Sequence, residues 1–73
     1  MSLLIEALRR KYEGDIACAK ANIHVYIHNP VGIGEHPDIV AALDEEVKKL
    51  STARDNLSAL IEHYGEKVKA STL

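Results

Sequence analysis

Two of the four histidines, His24 and His28, stand four residues apart, a spacing that on a helix puts both imidazoles on one side and within reach of a single metal ion. His36 follows beside Glu35 in the stretch HNPVGIGEHPD, so His24, His28 and His36 are the candidate metal ligands. No HExxH or CxxC pattern accompanies them and no third ligand is fixed, so they read more simply as surface histidines. No cofactor is expected. The same stretch offers a second chemistry, because Gly32 and Gly34 would let backbone N–H groups approach a bound molecule closely. A helix starting near Pro37 and Asp38 would add amides that attract an anion. His28, Asn29, Gly32, Gly34 and His36 are therefore the candidate ligand-binding residues. A lone GxG without a preceding strand, and without Lys-Ser or Lys-Thr, is not a nucleotide fingerprint.

The other reactive side chains have plainer readings. Cys18 lies among Ile16, Ala17 and Ala19 and reads as a small buried hydrophobe; His24, the nearest histidine in sequence, sits well round the helix from it. Arg9, Arg10 and Lys11 could grip an acidic partner, although such a run is usually a solvated face. Tyr12, Tyr26 and Tyr64 are expected to pack along a helix seam with their hydroxyls at its edge, and His63 to sit favourably at a helix C-terminus. No pair of carboxylates has walls around it. The sequence points away from an enzyme.

The elements that would position these groups are two helices. Ile5, Leu8, Tyr12, Ile16, Ala19, Ile23 and Tyr26 recur at steps of three and four, with Glu6, Arg9, Arg10, Glu13, Lys20 and Asn22 opposite. Val40, Leu43, Val47, Leu50, Ala53, Leu57, Leu60 or Ile61, Tyr64 and Val68 repeat the pattern, and Asp44 with Lys48 and Glu45 with Lys49 form acid-before-base pairs one turn apart. Between them Pro30 disfavours helix at Asn29, a residue type that tolerates left-handed backbone. Pro37 suits a first helical turn, with the Asp38 carboxylate near the positive end of the dipole. The expected fold is all-α, an antiparallel two-helix hairpin in one domain over residues 1–73. The helices are placed at about 2–28 and 37–66, joined by a loop at 29–36, with weakening at Gly65 and a frayed KASTL tail.

Size and composition bound the function. A core in a chain of 73 residues rarely contributes more than about 3–5 kcal/mol unaided, and one cysteine cannot form an internal disulfide. The apolar positions spill beyond one seam, at Leu3, Leu4 and Ala7, at Ala17 and Cys18, and at Leu60 and Ile61. That width points to self-association into a helical bundle, a dimer or higher homo-oligomer. Its interface candidates are Ile5, Leu8, Tyr12, Ile16, Ile23, Leu43, Val47, Leu50, Leu57, Ile61 and Tyr64. In the linker, Val31 and Ile33 are apolar where a loop is normally polar, so they cover the hairpin end, pack on a neighbour or meet a ligand. A formal charge of −2 and only three aromatic residues give little attraction for nucleic acid, and no apolar run approaches membrane-spanning length. The lone cysteine and the early Glu6, which breaks any secretory apolar region, lead to the expectation of a cytoplasmic protein.

The segment NPVGIGEHPDI, preceded by ANIHVYIH and followed by VAALDEEVKKLSTARDNLSALIEHY, resembles small proteins encoded by tailed bacteriophages, including phages of marine bacteria. The resemblance spans roughly Leu8 to Tyr64 and is most specific in the loop. It implies a viral protein made inside an infected bacterium, and it brings no activity, substrate or binding residue. Two functional classes follow: a protein-interaction module that binds a host or virion protein, or a binder that sequesters a small ligand where glycine loops meet at subunit interfaces.

Overall fold

The computed structural model describes residues 2–29 and 38–65, and these residues form two α-helices, α1 over Leu3–His28 and α2 over Ile39–Tyr64. Each has 26 residues, a length of about 39 Å at 1.5 Å per residue. They pack against one another as a hairpin. The expected all-α fold is thus observed. Neither helix is long and apolar enough to cross a membrane.

Local chemistry sets the ends. Ser2 caps α1, its hydroxyl accepting from the Ile5 N–H at 3.1 Å, and Asp38 caps α2, its carboxylate accepting from Ala41 N–H at 2.9 Å. Asp38 therefore precedes the helix, which begins at Ile39 rather than at 37. At the other end of α1, Asn29 has φ −149°, so the left-handed backbone its residue type allows is not used; its N–H donates to the Val25 carbonyl. Gly65 follows the last residue of α2, its N–H donating to Ile61, where the helix was expected to weaken. Pro30 to Pro37, including Val31 and Ile33, and the KASTL tail with Val68 lie outside the described residues.

Within the steps of three and four, the seam recurs every seven residues, at Tyr12, Ala19 and Tyr26 of α1 and at Glu46, Ala53 and Leu60 of α2. Ala19 and Ala53 are nearly sealed, at 2% and 4% exposure, and small side chains there let the two backbones come close. Leu60 is the one large apolar residue that is buried among the described residues. Around them Ile5, Leu8, Tyr12, Ile16, Ile23 and Tyr26 of α1, and Ile39, Leu43, Leu50, Leu57 and Ile61 of α2, are half-buried. Val47 and Tyr64 are exposed, as is Val40. Among the described residues no large side chain is fully enclosed.

One carboxylate also lies in the seam. Glu46, at 8% exposure, accepts a hydrogen bond from Asn22 Nδ2 across the hairpin at 2.9 Å and another from Lys49 Nζ at 3.0 Å. Asn22 thus reaches toward α2 and does not belong to the outward polar face. Lys49, expected to pair with Glu45, turns to Glu46, while Lys48 holds Asp44 at 3.3 Å and Glu45 at 3.9 Å.

Candidate functional site

Two flanks border the seam, and they differ in character. Helical geometry places Asp15, Cys18 and Asn22 of α1 beside Glu45, Lys49, Thr52 and Asn56 of α2, and these residues line one shallow open groove. This flank is polar. On the opposite flank Ile16, Leu50 and Leu57 line an opening edged by Lys20, Arg54 and Ser58. Steps of three and four extend that apolar strip along α2 through Leu43, Val47 and Ile61, and along α1 through Ile23 and Ile27. Ile27 and Val47 are 59% and 46% exposed, and the other apolar members of the strip are half-buried.

Cys18 is exposed, contrary to its expected burial. The seam position beside it is filled by Ala19, and Cys18 falls one residue round, on the polar flank. No histidine is among the residues that line the groove beside it.

The basic run is satisfied within α1. Arg9 binds Glu6 at 2.6 Å and Glu13 at 2.8 Å, Arg10 binds Glu6 at 2.8 Å, and Lys11 binds Asp15 at 2.9 Å. These ion pairs hold the Glu6 carboxyl below the ordinary carboxylate value, chiefly through the Arg9 guanidinium, and raise Arg9 and Lys11 in turn through Glu6 and Asp15. Each cation of the run already has an acidic neighbour one turn away. A grip on an outside acidic partner would have to break these pairs.

Of the candidate ligand-binding residues, His28 and Asn29 are exposed at the end of α1, whereas Gly32, Gly34 and His36 lie outside the described residues. His24 and His28 do come together, with ring centroids 4.3 Å apart and planes inclined by 43°. Among the described residues no group of three or more His, Cys, Asp or Glu side chains converges as a metal site. Tyr12 and Tyr26 are half-buried along the seam, and Tyr64 and His63 are exposed in the last turn of α2.

The polar residue that sequence reasoning missed is Glu46. Its carboxyl is held below the ordinary value, first by the Asn22 amide and then by the Lys49 ammonium, against the opposing effect of burial. The signal was present: Glu46 stands seven residues after Ile39 and seven before Ala53, in register with the seam. A charged residue type outweighed that register.

The chain matches no family model, no curated protein and no solved structure.

Proposed function

We propose that this chain is a non-enzymatic, self-associating helical hairpin that acts as a protein-interaction module, encoded by a tailed bacteriophage and working in the cytoplasm of the infected cell. The observation that carries the reading is the apolar flank. Two long helices enclose only Ala19, Ala53 and Leu60 among their described apolar residues, and leave Ile16, Ile23, Leu43, Val47, Leu50, Leu57 and Ile61 half-buried or exposed along one side. Such a strip is a seam without its second layer.

A second copy is the simplest cover. Two hairpins related by a two-fold axis, packed strip to strip, give a four-helix bundle in which each strip buries the other. The polar flank, with Glu46, Asn22 and Lys49, would stay at the surface of that bundle and remain free to meet a host or virion protein. The resemblance of the NPVGIGEHPDI segment to phage proteins supports the viral origin.

The test is the oligomeric state of two charge substitutions. Val47→Asp places a carboxylate on the apolar strip at a site already exposed in the single hairpin, so α2 should still form while association is lost. Thr52→Asp places the same charge on the polar flank and should leave association intact. Equal behaviour of the two variants would remove the strip from the interface.

A further inference from the structure

We infer that His24 and His28 form a two-imidazole clamp for a divalent late transition-metal ion at the C-terminal end of α1. Both side chains are exposed, and neither makes a hydrogen bond or ion pair among the described residues. The two rings stand against each other, with centroids 4.3 Å apart. Two imidazole nitrogens bound to one ion at about 2.0–2.1 Å lie roughly 3 Å apart, which sets the ring centres about 4–5 Å from each other. The observed separation falls within that range.

The position favours a cation. His28 is the last residue of α1, where unpaired backbone carbonyls give the helix its negative end. The choice of ion follows from the ligands: neutral imidazoles suit Cu2+, Ni2+ and Zn2+, whereas Mg2+ and Ca2+ require carboxylate or carbonyl oxygens. Two protein ligands leave the other coordination positions to water. The clamp is therefore an exchangeable site that braces the last turn of α1, unlike a closed structural zinc centre. It stands apart from the self-association reading, since both rings lie on the side of α1 facing away from the seam.

Calorimetric titration of the full chain with Cu2+ alone tests it. One saturable site is expected, weakened about a hundredfold in His24→Ala and equally in His28→Ala, because a tethered second ligand contributes gains of that order. His63→Ala should leave the affinity unchanged, and Mg2+ should give no saturable heat. Since both sites are exposed helix positions, the alanine variants will fold, and Cu2+ should raise the melting temperature of the parent chain but not of the double variant. Absence of saturable Cu2+ binding, or binding retained in the His24→Ala/His28→Ala double variant, overturns the assignment.

Discussion

Glu46 brings a carboxylate to the line where the two helices meet, and its partners explain why this is tolerated. Asn22 and Lys49 donate to its two oxygens, so no charge is left without a partner. Because these donors hold the folded carboxyl below its ordinary value of 4.5, the unfolded chain takes up a proton first as the medium acidifies. The resulting stability is complete above about pH 4.5 and is lost as the pH falls through the lower folded value. Glu6 acts in the same direction. Thermal melts should therefore fall in acid, and Glu46→Gln, which keeps the shape without the charge, should melt with a shallower acid dependence than the parent. Truncation to Ala should cost about 1.5–3 kcal/mol near neutral pH, the range of a hydrogen bond to a charged group. Gly14 offers the opposite case: a Cβ there would meet nothing within 4 Å. Gly14→Ala should stabilise the protein by about 0.5–1 kcal/mol, read as a rise of several degrees in melting temperature.

At the scale of the helices, caps and periodicity decide the outcome. Asp38 supplies the first-turn acceptor for α2, and Asp38→Ala should lower stability by about 1 kcal/mol, measurable by urea unfolding with an unchanged slope. Both helices were legible in the sequence. Steps of three and four marked the faces, Asn29 before Pro30 marked the end of α1, and Gly65 marked a weak point in a helix placed to 66 that ends at Tyr64. What could not be read was the pairing of individual side chains. A helical pattern assigns a residue to a sector of the helix, but the neighbouring helix decides whether that sector is seam or flank. Asn22 and Cys18 lie close to that boundary; one reaches across to Glu46 and the other is left exposed. Lys49 illustrates the same limit, because Glu45 and Glu46 are both within one turn and only the tertiary position of Glu46 makes it the better partner. The histidine pair was legible as a spacing, and the structure adds the ring separation.

For the whole molecule, the contrast between flanks matters most. A hairpin whose described residues enclose two alanines and one leucine has little core, and the strip through Ile16, Leu50 and Leu57 provides the apolar surface for a second layer. If association supplies that layer, stability depends on protein concentration, and the melting temperature should climb as the chain is concentrated. The central claim is met most directly by sedimentation equilibrium of the full chain across the micromolar range. The mass should be a multiple of 8.0 kDa, reduced to that of one chain by Val47→Asp and unaffected by Thr52→Asp. A parent chain that sediments as a single 8.0 kDa species throughout, while unfolding cooperatively, would contradict it.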